Sequence, residues 1–554
     1  MKKRWPLVAI ISLALIAILG VLFYLLFLYD SVDTVTGEES DLTEVAVQNG
    51  DLKISVDPRI ELLSSVQLAG GYNILGNLSF QYRDEMENNF KDFKSHAAVR
   101  HFTWLSGFGF TYDASPRAML HLTAPPSVKQ IVPYDSETKR RGFGAFNLDR
   151  FNSLLADYSA DSDFPDFYNG NKAFYKQIVE STAMSLKEED IVKELEDYYG
   201  IKQKSYSLIL APLFHPGGYG IRVNGEGGIF DTYAIIGPFK VENKVPVYDG
   251  KEIRGLVWHE FSHSFINPLN ERHKKELARY SSLYLPVKEI MSAQAYPNWE
   301  ICVNEHLVRA VSTRLTYLKL GKKEGDAALR SEKGSGFIYI EALCSKLEEY
   351  EKNRDLYKTL DDFYPEILKS FDNLSKVPPE ELAGRQKYEG PINGIFAIPN
   401  PVALIVPTNE QDKDIEEKIR QYVDTIKDRF FKEGRIITDK AALDEDLSGS
   451  MVIAYGTMDG NLWLSSYKDS FPFLIEPDGI IADTEYEGTG YRYICGYKNP
   501  QNEDYPLLIY TAQDASDIPG INGIMHGPTD YVIAKGDEVV KSGDFVRDGN
   551  VWAY

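Results

Sequence analysis

Two histidines separated by three residues constrain this chain more than any other feature. In "GLVWHEFSHSF", residues 255–265, His259, Glu260 and His263 stand in the order His-Glu-x-x-His. Only a helix brings the two imidazoles one turn apart on one face. There, two ring nitrogens can hold one Zn²⁺ at roughly 2.0–2.1 Å. Glu260 sits about 100° further round the helix, where it reaches a water on the metal rather than the metal itself. The flanking residues favour the helix. Asp249 and Glu252 form a possible capping box. Ile253, Leu256, Val257, Phe261 and Phe265 supply apolar faces, and Asn267-Pro268 is expected to end the helix.

A hydrolytic zinc needs a third protein ligand and one open position. A histidine six residues after His263 would supply it in one pattern, but position 269 is leucine, and His273 lies in the charged stretch "NERHKKE". The other pattern is a glutamate on a second helix. "PNWEICVNEHLVRAVSTRLTYL", 297–318, reads as such a helix and offers Glu300, Glu305 and His306. Glu305 is mid-helix between Val303 and Leu307, where a buried carboxylate without a partner is costly, so it stands ahead of the other two. Arg309, one turn on, is placed to orient it or to form an ordinary ion pair. Tyr296, Tyr219 and His215 are candidate donors to a developing oxyanion, and spacing does not choose among them. The strand-like "GGIFDTYAIIG", 227–237, is a candidate edge strand for an extended peptide, although a plain sheet strand is the commoner meaning of such a run.

"HEFSHSFINPLNE", followed some forty residues on by "WEICVNEHLVRA", resembles the gluzincin class of zinc metallopeptidases. More closely, it resembles a bacterial family with an HEFSH motif and a downstream E-x-L-V-R-A helix. "FYNGNKAFY", "LILAPLFHPGGYG" and "YEKNRDLYKTLDDFYPEI" extend the resemblance over roughly residues 55–375. It implies one zinc ion per chain, held by His259, His263 and Glu305, with Glu260 as the base toward a zinc-activated water. Thermolysin-type enzymes carry an aspartate four residues after the ligand glutamate. Arg309 stands there in this chain, so the outer sphere must differ.

The remaining sequence sets the surroundings. Lys2, Lys3 and Arg4 precede 25 residues without a charge, Trp5 to Tyr29, and no small-x-small cleavage site follows. A run of that length spans a bilayer as a helix, and the basic tip stays in the cytoplasm. The expected order is therefore a cytoplasmic tip and transmembrane anchor at 1–29 and a flexible stalk at 30–50. An α+β zincin-like metallopeptidase domain at 51–378 follows, then a linker at 379–394 and an open α/β domain at 395–554. In that last part "PVALIVPT" and "SMVIAYGT" read as buried strands around the amphipathic helix "DIEEKIRQYVDTIKDRFFKEG", with later strands in "PLLIYTA" and "DYVIAKG". It resembles accessory domains of extracytoplasmic hydrolases, and the isolated His526 has no nucleophile or base beside it in the sequence.

A net charge of −22, from 60 basic and 82 acidic side chains, argues against nucleic acid as a partner. Three scattered cysteines exclude both a disulfide framework and a cysteine zinc cluster. The sequence leads to a membrane-anchored zinc metallopeptidase that faces away from the cytoplasm and acts on peptides or proteins. A non-catalytic binding protein on the same scaffold, or a zinc hydrolase of another amide, stands behind it.

Overall fold

The computed structural model describes residues 41–383, 388, 390–397, 401–527, 529–548 and 551–554. The anchor expected at 1–29 lies outside these residues. Among the described residues no helix is long and apolar enough to cross a membrane. The chain divides into two compact units, Met1–Leu269 and Asn270–Tyr554.

The first unit is built on a five-stranded mixed sheet. Its strands are β1 (Val45–Asn49), β2 (Leu52–Val56), β3 (Ser205–Leu210), β4 (Gly217–Glu226) and β5 (Ile229–Gly237), in the order β1-β2-β3-β5-β4. β2, β3 and β5 run parallel, and the two outer strands pair antiparallel to their neighbours. Two expectations change here. The stalk does not reach residue 50, because Val45–Asn49 pairs with β2 along its whole length; a polar composition concealed a strand that only edges the sheet. The candidate edge strand 227–237 is instead the plain sheet strand that such a run more commonly means, and it is internal. β5 is held by β3 on one side and β4 on the other, so the edge belongs to β4.

Between β2 and β3 the chain is helical. It includes α1 (Pro58–Ala69), α2 (Ala97–Ser106), α3 (Ser136–Arg141), α4 (Ala145–Asp161) and α5 (Ile191–Tyr199). α5 closes at Gly200, whose φ of 72° is the left-handed conformation that glycine adopts without steric cost.

The first unit ends in the long α6, Gly250–Arg272, which crosses into the second. α6 begins beside Asp249, while the side chain of Glu252, the other half of the expected capping box, lies outside the described residues. The helix does not stop at Asn267-Pro268: Pro268 lies inside it. Proline removes the N–H that would bond the carbonyl four residues back. That carbonyl belongs to Ser264, and the buried Gln203 side chain donates to it at 3.5 Å. A substitute donor keeps the helix continuous where local propensity predicts an end.

The second unit contains α7 (Trp299–Leu320), α8 (Ile340–Lys352), α9 (Leu360–Leu374) and a seven-stranded sheet. The sheet strands are β6 (Val402–Val406), β7 (Arg435–Thr438), β8 (Met451–Tyr455), β9 (Tyr491–Asn499), β10 (Asn502–Ala512), β11 (Tyr531–Lys535) and β12 (Glu538–Gly543). β10, β8, β6 and β7 are neighbours in parallel, with α10 (Lys413–Phe430) crossing from β6 to β7. β9, β11 and β12 extend the sheet antiparallel.

The division between units falls at residue 269, not at the expected 379–394 linker. That stretch is Pro- and Gly-rich, yet its Tyr388 and Ile392 are buried in the core of the seven-stranded sheet. The helices from 299 to 374 therefore group with the sheet that follows them.

Candidate metal centre

α6 packs on the sheet face that carries Tyr206 of β3 and Gly220 of β4. Phe261 meets the Tyr206 ring edge-on at 5.4 Å. On another side the helix is tied to the segment before it: Phe265 stacks on Tyr199 at 4.2 Å, and Trp258 Nε1 donates to Glu194 at 3.0 Å. Arg254 pairs with Glu189. These contacts fix the rotation of α6 and hence the direction of its polar residues.

His259 and His263 are half-buried and Glu260 is buried. One ligand atom from each lies within 4.8 Å of those of the other two. The two Nε2 atoms face each other at 3.3 Å, with the rings nearly perpendicular. Two nitrogens at zinc-bond length from a tetrahedral ion stand about 3.3–3.4 Å apart. The donor set, two imidazoles at that separation, fits zinc.

The ring orientation has a visible cause. His263 Nδ1 lies 3.4 Å from Oδ1 of Asn267. The amide oxygen can only accept, so Nδ1 carries the proton and the Nε2 lone pair turns toward the centre. Sequence reading took Asn267 for part of a stop signal. Its position one turn beyond His263 was the clue to its role. Replacing Asn267 by alanine is expected to weaken zinc affinity by roughly 10–100-fold with the helix intact; titration with a competing chelator, alongside circular dichroism, measures both.

The sheet edge presses on the same residues. A Cβ on Gly218 would stand 2.7 Å from Glu260 Oε1, and one on Gly220 would stand 2.1 Å from the Glu260 carbonyl oxygen. Bare backbone of β4 therefore lies directly against the Glu260 carboxylate. No larger residue leaves room for that approach.

The other candidates are distributed as follows. Tyr219 of β4 is bonded to His215 Nε2 at 2.8 Å, while His215 Nδ1 lies 2.8 Å from the Pro216 carbonyl. That carbonyl accepts from Nδ1–H, so Nε2 accepts a hydrogen bond from the Tyr219 hydroxyl. Burial above all, with smaller contributions from nearby tyrosines, Asp113 and Glu260, holds the Tyr219 hydroxyl well above its ordinary pKa, so it stays protonated at neutral pH.

Glu305, Glu300, His306, Arg309 and Tyr296 belong to the second unit. Glu305 is buried on α7, with Arg309 Nε 3.5 Å from its carboxylate. Arg309 also pairs with Glu332 at 2.8 Å, contacts Tyr296 Oη at 3.3 Å and lies over the Phe337 ring. Glu300 is exposed and pairs with Lys274 at 3.2 Å. His306 is buried between Phe337 and Tyr339, its Nδ1 2.9 Å from the Cys302 carbonyl. Burial pushes its pKa down to about 4, which keeps it neutral. In the same unit, His526 is bonded to Tyr510 at 3.0 Å and to the Ile524 carbonyl.

The profile of a domain of unknown function, DUF4932, matches residues 106–370. The match takes in α6 with its two histidines and α7 with Glu305. No curated protein and no solved structure matches the chain.

Proposed function

We propose that this protein is a membrane-anchored zinc metallopeptidase that hydrolyses peptide bonds on the extracytoplasmic side. The observation that carries the reading is the 3.3 Å separation of the His259 and His263 Nε2 atoms beside the buried Glu260 carboxylate. His259 and His263 would hold the ion, with Glu305 as the third ligand. When bound, zinc supplies Lewis-acid chemistry, making a water more acidic and polarising the scissile carbonyl.

The chain's own residues do the rest. Glu260 takes the proton from the attacking water and returns it to the leaving amine. Its carboxylate is fixed for both transfers by the glycine backbone of β4. Among the described residues β4 pairs with β5 alone, and an extended peptide can add on its other side by main-chain hydrogen bonds. A mixed sheet with an antiparallel edge strand over the His-Glu-x-x-His helix supports the zincin-like reading of the first unit. The uncharged run at 5–29 supports the anchor.

The purified full chain is expected to contain one zinc. Dialysis against a strong chelator abolishes cleavage of a peptide library, and stoichiometric zinc restores it. Stably bound zinc with every peptide intact would instead favour the non-catalytic binding protein.

A further inference from the structure

One exposed surface of the first unit is neither part of the metal centre nor a normal solvent face. Trp104 at the end of α2, Phe108 just beyond it and Phe143 after α3 are all exposed. They form one cluster: Trp104 lies 5.1 Å from Phe108 and 5.9 Å from Phe143, and Phe108 stacks on Phe143 at 5.4 Å. Phe143 has a φ of 56°, a conformation that a bulky residue adopts only at a cost. The backbone holds that ring outward beside the other two. Contiguous exposed aromatic surface of this kind marks an interaction site.

The rim indicates what covers it. Arg100 on α2, Arg140 on α3 and Arg150 on α4 are exposed, in a chain whose net charge is −22. Arg140 is close to Phe143, whose N–H bonds the Arg140 carbonyl. Arg150 is close to Trp104 through His101, which stacks on Trp104 at 5.6 Å. His101 has its pKa lowered mainly by burial and in part by the charge of Arg150. Rings with arginines beside them match the boundary between anionic headgroups and acyl chains.

The chain length puts such a surface within reach. Asp41 is fastened to the first unit, accepting from Ser127 N at 3.1 Å and Ser127 Oγ at 2.7 Å. The uncharged run ends at Tyr29. Residues 30–40 between them extend ~40 Å at most. If the anchor spans a bilayer, the first unit stays beside that bilayer.

We propose that the Trp104–Phe108–Phe143 cluster docks onto the surface of an anionic membrane, with Arg100, Arg140 and Arg150 on the headgroups. The proposal rests on the anchor reading and is independent of the peptidase reading. The test uses the full chain with Trp5→Phe, reconstituted in vesicles of phosphatidylcholine and phosphatidylglycerol with brominated acyl chains. The described tryptophans other than Trp104 are buried, so Trp104 reports contact with lipid. Its emission is expected to shift to the blue and fall. Trp104→Phe on that background abolishes the fall, and Arg140→Gln with Arg150→Gln reduces it, as do phosphatidylcholine vesicles. Emission identical in brominated and plain anionic vesicles overturns the proposal. So does a Trp104 response that appears only on adding peptide, which would assign the cluster to substrate. Alkaline carbonate extraction of the same vesicles reads the anchor separately.

Discussion

Glu260→Gln is expected to lower peptide hydrolysis by roughly 10²–10⁴-fold, the range that a positioned general base contributes, while zinc content stays at the wild-type level. The side chain is buried and shares the shape of glutamine, so its packing against Gly218 survives the change. What disappears is the ability to accept a proton from water. His259 and His263 keep their separation, because the contacts that orient α6 involve Trp258, Phe261 and Phe265 rather than Glu260. The measurement is kcat/KM on a cleavable peptide together with metal analysis of the same preparation. A variant that hydrolyses at the wild-type rate would remove Glu260 from the mechanism. A variant that loses its zinc would show that the carboxylate supports the ion rather than the proton transfer.

The helix carrying His259 and His263 was legible because its signal is local: spacing four residues apart, apolar faces and an acidic neighbour. Its end was not, because the donor that replaces the missing Pro268 N–H comes from Gln203, far away in sequence. Strand existence was legible in "GGIFDTYAIIG" from its apolar run between glycines. Strand order was not: β4 rather than β5 forms the edge because β5 pairs on both sides, and pairing leaves no trace in a single strand. Asn267 and the glycines of β4 could have been found. Each lies at the spacing its role requires, one turn after a ligand in one case and alternating in a strand in the other. The middle letters of HEFSH also gain meaning. Phe261 seats the helix on Tyr206, and Ser262 occupies a fully buried position where a small side chain fits.

Zinc affinity is expected to fall by more than the roughly 10–100-fold that loss of an outer-sphere partner costs when Glu305 becomes glutamine. A buried carboxylate needs compensating charge. Arg309 approaches Glu305 at 3.5 Å but makes a closer contact, 2.8 Å, with Glu332. The closer partner of that guanidinium is Glu332, and in the proposed reading the Glu305 carboxylate would be the third ligand to the dication. Two other donors on the same helix act as controls. Glu300 is exposed and paired with Lys274, so Glu300→Gln is expected to leave zinc binding unchanged. His306 is neutral, enclosed by aromatic rings and bonded to its own helix, so His306→Leu is expected to leave it unchanged as well. Competition titrations of the three variants, each checked for folding, decide the assignment. Wild-type affinity in Glu305→Gln would show that the third ligand comes from elsewhere, and a loss confined to Glu300→Gln or His306→Leu would name it. Arg309 then follows from the outcome. With Glu305 on the metal, its guanidinium is the group that orients a ligand, standing where thermolysin-type enzymes place an aspartate on a histidine.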